Sequence, residues 1–432
     1  MRKTPNLQAE DTKQMKAEGT GRKVHSLIDK VYHPTNLEMA WKSVKANGGS
    51  GGIDRVSIPA FQAVSQAELA RLHEELKEGI YRPMPVRRLL IPKRGKPNEK
   101  RPLGIPAIRD RVCQQALKNR LEPIFEPLFS ASSFGYRPGR SAHQAMRKIY
   151  RELIDGCEWI VDADLRDFFG TVNHERLTDM IAEQVSDGRV LKLIRQMLEA
   201  GYMENGKKYA TPNGTPQGSV ISPLFSNIYL NRFDHEMTSK GYRLTRFADD
   251  WVVLCKTQVE AARALRDARV ILESLGLRLH PEKTKITNIK WGFEFLGYKL
   301  KRGKGLALPR EKIKKQPKLN IYAYPTEKSI KRFRDTIRSR THRRIPLTVH
   351  QLIDFINPVI RGWGNYYRKA HVRKLFNQLQ RWIIRRIWSH RFKRWRNVGW
   401  KKLPESTLYS KHSLVNLLSL IPDLNLRTAP KG

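Results

Sequence analysis

Two stretches of this chain read as buried β-strands, and both carry aspartates. In "LTRFADDWVVL" (Leu244–Leu254) Asp249 and Asp250 stand side by side inside an apolar run. In "WIVDADLRDFF" (Trp159–Phe169) Asp162 and Asp164 interrupt another. Side chains alternate along a strand, so Asp162 and Asp164 share a face. A turn is the plain reading of Asp249 and Asp250, because Asp is a common turn residue. The alternative is convergence. Asp164 and Asp249 lie 85 residues apart, and if the two strands pair, Asp164, Asp249 and Asp250 meet.

Convergent carboxylates suit metal-assisted phosphoryl or nucleotidyl transfer. Mg²⁺ takes one or two carboxylates plus substrate phosphate oxygens. Two such ions activate an attacking hydroxyl and stabilise the leaving oxygen. Without a cation, three close carboxylates repel one another and raise each other's pKa.

Charge points to the substrate class. The chain of 432 residues holds 82 Lys+Arg against 41 Asp+Glu, net +41. Such an excess repels itself unless a polyanion is near, and nucleic acid is the most economical partner. A membrane is not expected as a partner, since no apolar run approaches the roughly 18 residues of a spanning helix. The N-terminus "MRKTPNLQAEDTKQMKAEGTGRK" lacks the apolar core of a signal peptide. Cys113, Cys157 and Cys255 form no CxxC pair, which encodes no zinc ribbon and fits a reducing interior. The charge is uneven: from Lys301 to Gly432 there are 33 basic and 6 acidic residues, net +27.

Periodicity gives the organisation. Residues 1–30 read as a flexible polar arm. "KANGGSGGIDRVSIPAF" (Lys45–Phe61) reads as a flexible glycine loop. "AELARLHEELKEG", "IRDRVCQQALKNRLEPIFEPLF", "RLTDMIAEQV", "RVLKLIRQMLEAGY", "SPLFSNIYLNRFDHEMTSKG" and "VEAARALRDARVILESLGL" read as helices. "VRRLLIPK", "EWIVDADLRDFF" and "FEFLGYKL" read as strands. Strands and helices mix without strict βαβ alternation, which favours an α+β fold. "KRGKGLALPREKIKKQPK" (Lys301–Lys318) reads as a boundary.

Taken in order, these segments resemble the reverse transcriptase/maturase proteins of bacterial group II introns. "GGIDRVS" resembles the family's fingers loop. "IPKRGKPNEKRPLGIPAIRDRVCQQAL", "SSFGYRPGRSAHQA", "DADLRDFFGTVNH", "GTPQGSVISPLFSNIYLN", "RFADD", "LGLRLHPEKTKI" and "FEFLGYKL" resemble successive core blocks, and "INPVIRGWGNYYRKA" resembles the thumb, or maturase X, domain. Phe247 stands where Tyr is usual before Ala-Asp-Asp, Arg55 where the fingers loop often has Gly, and Asp167 where a small residue is common.

The resemblance implies a right-hand polymerase: fingers (31–155), a palm with an antiparallel sheet (156–305) and a basic α-helical thumb/maturase domain (306–432). It implies Asp164, Asp249 and Asp250 as catalytic metal ligands for two Mg²⁺ ions. Lys93 and Arg101 would hold the triphosphate, Phe169 would gate against a 2′-hydroxyl and Gln217 would line the nucleotide pocket. Arg137 and Arg140 either touch template or are surface charge. Gly297 resembles a primer-contacting hairpin.

In the cationic end, Ile384, Trp388, Phe392 and Trp395 fall at helical spacing and read as core. Arg361, Arg381, Arg385 and Lys393 are then left to meet phosphate. Trp363, Tyr366 and Tyr367 either stack on bases or pack. The implied partners are group II intron RNA, an RNA template with a DNA primer, target DNA and deoxynucleoside triphosphates, in a ribonucleoprotein of the bacterial cytoplasm. No cluster of the appended endonuclease follows Trp400. Two rivals stand beside this reading. A splicing cofactor without polymerase activity would be marked by a lost aspartate, and a reverse transcriptase recruited to a defence system by the lack of a "GWGNYYR" segment.

Overall fold

The computed structural model of the chain describes residues 23–93, 96–303, 320–393 and 401–422, without side-chain placement for Lys93 or residues 96–98. It divides into two compact units: residues up to Glu152 together with Trp159–Ile286, and Leu153–Glu158 together with Thr287 onward.

The first unit opens with α1 (Ile28–Tyr32), α2 (Pro34–Asn47), α3 (Ile58–Ala63) and α4 (Ser65–Glu78). Here two expectations are corrected. The polar arm does not run to residue 30. Leu27, Ile28 and Val31 are buried, and the Asp187 carboxylate accepts the Leu27 and Ile28 N–H groups at 2.8 Å each. The glycine loop is packed at its far end: a side chain on Gly52 would lie 2.4 Å from the Ala107 backbone, while Gly49 and Ser50 are exposed. In the same loop Arg55 adopts φ +58°, a conformation that glycine reaches at less cost.

Next come β1 (Val86–Lys93), β2 (Lys96–Ile105), α5 (Ile108–Phe125) and α6 (Ala142–Ile154). Helix α5 buries residues around its whole circumference, among them Ile108, Val112, Cys113, Leu117 and Leu121, as a central helix does. β3 (Trp159–Ala163), α7 (Phe168–Thr171), α8 (His174–Ala182), α9 (Gly188–Glu199), β4 (Tyr202–Glu204), β5 (Lys207–Tyr209) and α10 (Ser222–Ser239) follow. Then come β6 (Arg243–Phe247), β7 (Asp250–Cys255) and α11 (Gln258–Ser274). One sheet runs β2-β1-β4-β5 and another β6-β7-β3-β8, with β8 (Lys285–Asn288) at its edge. β6–β7 and β7–β3 are antiparallel. Helices α10 and α11 cover this second sheet, with Phe233 of α10 against Trp251 at 5.1 Å. This is the expected α+β palm.

In the second unit β9 (Phe293–Phe295), β10 (Tyr298–Arg302) and β11 (Ile321–Pro325) form an antiparallel sheet ordered β11-β10-β9. "FEFLGYKL", read as one strand, is two strands joined through Leu296 and Gly297, both at positive φ. Then follow α12 (Glu327–Arg340), α13 (Val349–Tyr367), α14 (Arg373–Phe392) and α15 (Glu405–Ser410). Helix α13 starts with a capping box between Thr348 and Gln351. Among the described residues no helix is long and apolar enough to cross a membrane.

Under the first unit's aspartate hairpin lies a fully buried ion pair, Arg246–Asp234. Removing one partner strands the other charge, so Arg246→Ala should cost about 3–5 kcal/mol. Replacing both, Asp234→Leu with Arg246→Met, should regain most of that. Urea denaturation of the two variants checks it; equal losses in both would be the contrary result.

Candidate active site

β6 and β7 pair up to Phe247↔Asp250. Ala248 and Asp249 are therefore the two-residue tip, and Ala248 takes φ +60° as such a turn requires. The tip is fixed from beneath. Arg246 donates Nε to Asp234 Oδ1 at 2.7 Å and Nη2 to Asp234 Oδ2 at 2.5 Å. Its Nη1 reaches Asn227 Oδ1 at 3.1 Å and the Ala248 carbonyl at 2.8 Å. From the side, Ser132–Phe134 runs along β6, with N–H···O bonds of 2.9 Å from Phe134 to Arg246 and from Arg246 to Ser132. Gly135 then passes so close that a side chain there would lie 2.2 Å from the Ala248 nitrogen.

β3 and β7 pair up to Ala163↔Trp251, and one further step sets Asp164 across from Asp250. The predicted convergence is met. Asp164 is ion-paired with Lys283, and Lys285 lies 3.6 Å from Asp162. Burial raises the Asp249 carboxyl above its usual range, and the nearby Asp164 charge adds to it. Asp250 stays open to solvent on one side. The wall beneath it and repulsion from Asp249, Asp164 and Asp162 push its pKa up to about 7, with Lys283 opposing. This is a carboxylate cluster short of positive charge.

Hard oxygen donors gathered against their own repulsion fit a divalent cation. As they stand, no three His, Cys, Asp or Glu side chains among the described residues are arranged to hold one. Asp164 is turned to Lys283, whose ammonium pairs with it.

A cavity of about 380 Å³ is lined by Asp167, Phe169, Tyr202, Thr215 and Gln217, with Arg88 at its wall. Phe169 and Gln217, predicted on the nucleotide, are thus brought together. Phe168 is buried, as expected of a core ring, while Phe169 is half-exposed. Thr215 donates its N–H to the Phe169 carbonyl at 2.7 Å. Gly218 lies so near Gly104 that a side chain would meet its carbonyl at 2.7 Å. Asp167 adopts φ +46°, the second departure from the family pattern that falls on left-handed backbone. Arg101 is exposed, and its charge reaches the Tyr136 hydroxyl. The Lys93 side chain lies outside the described residues.

Several nucleic-acid contacts are corrected. Arg137 is buried. It is gripped by the Glu126 carboxylate at 2.7 Å and by the carbonyls of Ser130 at 2.6 Å and Ser133 at 3.0 Å. It braces the loop and does not face a template. Arg140 is partly exposed over Phe134. Trp363, Tyr366 and Tyr367 are engaged in packing. Trp363 lies 4.5 Å from Phe333, centroid to centroid, and its Nε1 donates to Ser329 Oγ at 3.1 Å. Tyr366 Oη donates to the Leu296 carbonyl at 2.8 Å and Tyr367 Oη to the Gly297 carbonyl at 3.0 Å. These tyrosines hold the turn that carries Gly297. Arg361, Arg381 and Arg385 are exposed, as expected. Lys393 bonds the Arg343 carbonyl. Ile384 is buried, Trp388 donates to the Leu403 carbonyl at 2.9 Å, and Trp395 lies outside the described residues.

Three residues of the site were not singled out from sequence: Arg246, Lys283 and Tyr136. Arg246 had a signal, a cation between Thr245 and Phe247 inside a strand. Lys283 sat in a block read only for its order. Tyr136, exposed and at φ +58°, has its pKa raised first by burial of its hydroxyl and then by Asp249 and Asp250.

The Asp250 shift has a stability consequence. Unfolded, this carboxyl titrates near 4; folded, it does so at about 7. Between those values the folded chain holds a proton that the unfolded chain has lost, so stability falls as pH rises through that window and levels above it. In metal-free buffer, Asp250→Asn should therefore gain melting temperature over wild type from pH 4 to 7, by about 2–4 °C. A pH-independent difference between the two would contradict this.

Comparison with known proteins agrees with this geometry. Residues 91–300 match the model of the reverse transcriptase (RNA-dependent DNA polymerase) family. Residues 330–406 match the group II intron maturase-specific domain. Protein YkfC of Escherichia coli is 36% identical, over 65% of this chain and 84% of that protein. The group II intron-encoded protein LtrA of Lactococcus lactis is 29% identical, over 81% of this chain and 71% of its own length. An uncharacterized 91 kDa protein in a cob intron of Schizosaccharomyces pombe is also 29% identical, over 80% of this chain but only 51% of its own. With the paired aspartates at a palm hairpin, the two domains in this order and relatives of this kind, the chain belongs to the group II intron-encoded reverse transcriptases that carry a maturase domain.

Proposed function

We propose that the chain extends a DNA primer on an RNA template at Asp164, Asp249 and Asp250, and that it binds its parent group II intron RNA to assist splicing and mobility. The observation that carries the reading is the carboxylate set itself: strand ends from separate blocks meet where their repulsion calls for cations. Two Mg²⁺ ions, when bound, would activate the primer hydroxyl and neutralise charge on the transferred phosphoryl group.

The chain's own residues do the positioning. Arg246 fixes the tip on which Asp249 sits. The wall formed by Phe169 and Gln217 receives the deoxynucleotide sugar, and Arg101 with Lys93 meets its triphosphate. The turn at Gly297, clamped by Tyr366 and Tyr367, meets the primer strand. Arg361, Arg381 and Arg385 neutralise phosphates of the template–primer duplex, intron RNA or target DNA. The setting is a cytoplasmic bacterial ribonucleoprotein. All three aspartates are in place, so a polymerase-dead maturase has no support in the site.

The test is Mg²⁺-dependent extension of a DNA primer on RNA. Asp249→Ala should lower the rate on the order of a thousand-fold while intron RNA binding persists. Wild type that binds intron RNA and promotes splicing without extending a primer would reduce the palm to a scaffold. Removing the ring at Phe169 should open the sugar wall. Phe169→Val is expected to raise ribonucleotide incorporation relative to deoxynucleotide by roughly 10–100-fold, read in single-nucleotide extension. An unchanged ratio would take the gate role from Phe169.

A further inference from the structure

We propose that the outward face of the β9–β10–β11 sheet, built on Tyr322 and Tyr324, is a docking surface for an unpaired stretch of RNA. The inference stands apart from the polymerase site, since it concerns a separate surface. β11 lies between the two matched family regions, which end at residue 300 and resume at 330.

The pleat sorts this sheet into two faces. Tyr298 and Leu300 of β10 and Phe293 and Phe295 of β9 are buried. The alternate positions point the other way. Register pairs Lys299 with Tyr324 and Lys301 with Tyr322 across β10 and β11, and Glu294 with Lys299 across β9 and β10. Residues directly opposite each other share a face. The outward face thus carries two tyrosines and two exposed lysines, with Glu294 the one acid.

The rings are set as a platform. Tyr322 and Tyr324 lie nearly parallel, with an interplanar angle of 14° and centroids 6.1 Å apart. His371 stands edge-on to Tyr322 at 4.7 Å and lies 6.0 Å from Tyr324. The histidine is pinned. Its N–H donates to the Ala323 carbonyl at 2.9 Å, and its Nδ1 accepts the Ala323 N–H at 3.2 Å. Tyr322 is seated on Gly303, where any side chain would strike the ring at 2.0 Å. Tyr324 remains 41% exposed. Arg368 and Lys369, shortly before His371 in the chain, are exposed.

This combination selects an occupant. The outward positions of β10 and β11 offer aromatic faces and cations but no aliphatic patch for a protein or lipid partner. Aromatic faces on a sheet stack bases, and lysines beside them meet backbone phosphates. A duplex hides its base faces, so the strand must be unpaired. RNA is the source because the maturase-specific domain follows β11 directly, a step that rests on the proposed binding of intron RNA.

The test uses the full chain and a short oligouridine RNA carrying 4-thiouridine. Crosslinks should map to the peptide holding Tyr322 and Tyr324. In fluorescence anisotropy Tyr324→Ala should weaken binding about tenfold and Tyr324→Phe by less than about twofold. Lys299→Ala with Lys301→Ala should flatten the salt dependence by about one to two units of slope. Matched melting temperatures exclude misfolding. Undiminished binding by Tyr324→Ala, or crosslinks confined elsewhere, overturns the proposal. An oligothymidine of equal length is the second arm: DNA held more tightly than RNA through Tyr324 overturns the assignment to RNA. None of these readouts involves primer extension, so they stand or fall independently of the polymerase reading.

Discussion

The palm hairpin depends on one guanidinium. Arg246 is fully buried and forms charge-assisted bonds to both oxygens of Asp234, with Asn227 and the Ala248 carbonyl taking a third nitrogen. A buried ion pair of this kind contributes little net stability, because desolvation roughly offsets attraction. What it contributes is position. Ala248 begins the turn from which Asp249 and Asp250 emerge, and its carbonyl points inward to Arg246. The Ser132–Gly135 segment, helix α10 and strand β6 all touch this one side chain or its backbone. Chain segments far apart in sequence are thereby registered against one turn, and metal chemistry tolerates little slack in that register.

The electrostatics follow from this placement. The aspartates form a negative island in a chain of net charge +41. Asp250 cannot ionise cheaply, first because of its desolvation and then because of Asp249, Asp164 and Asp162. Lys283 and Lys285 relieve part of the repulsion through Asp164 and Asp162. On the proposed reading, an ion taking the Asp164 carboxylate would compete with an ammonium group, which favours a divalent charge over a monovalent one. The surrounding positive field meanwhile attracts the polyanion that brings the phosphates.

Much of this was legible in the sequence, for a physical reason in each case. Helices such as α4 and α9 show because their apolar stripes repeat at helical spacing. The paired aspartates show because charge inside an apolar strand needs a purpose. Side-chain partners did not show. Arg137 in "GYRPGR" and Arg140 look alike in one dimension, yet only the first meets Glu126 and two carbonyls. "GWGNYYR" mixes rings and charge as a stacking surface does, yet its rings face α12 and the β9–β10 turn. "IYAYP" at β11 gave no signal, although its alternation sends both tyrosines outward. Composition names the residues a surface contains, and only tertiary packing decides which of them it hides.

The second unit's small sheet uses that alternation to separate two tasks. Its inward residues, Phe293, Phe295, Tyr298 and Leu300, are buried. Tyr298 donates its hydroxyl to the Tyr366 carbonyl, while Tyr366 and Tyr367 return hydroxyls to the turn at Leu296 and Gly297. The turn is therefore held by α13 through three phenols, and burial raises the pKa of each, so they stay protonated donors across the physiological range. The opposite face needs none of these bonds. It sets Lys299, Lys301, Tyr322 and Tyr324 against solvent at no cost to the clamp. Because a one-residue slip of register would exchange the two faces, the hydrogen-bonded tie between His371 and Ala323 at the β11 edge guards both tasks together.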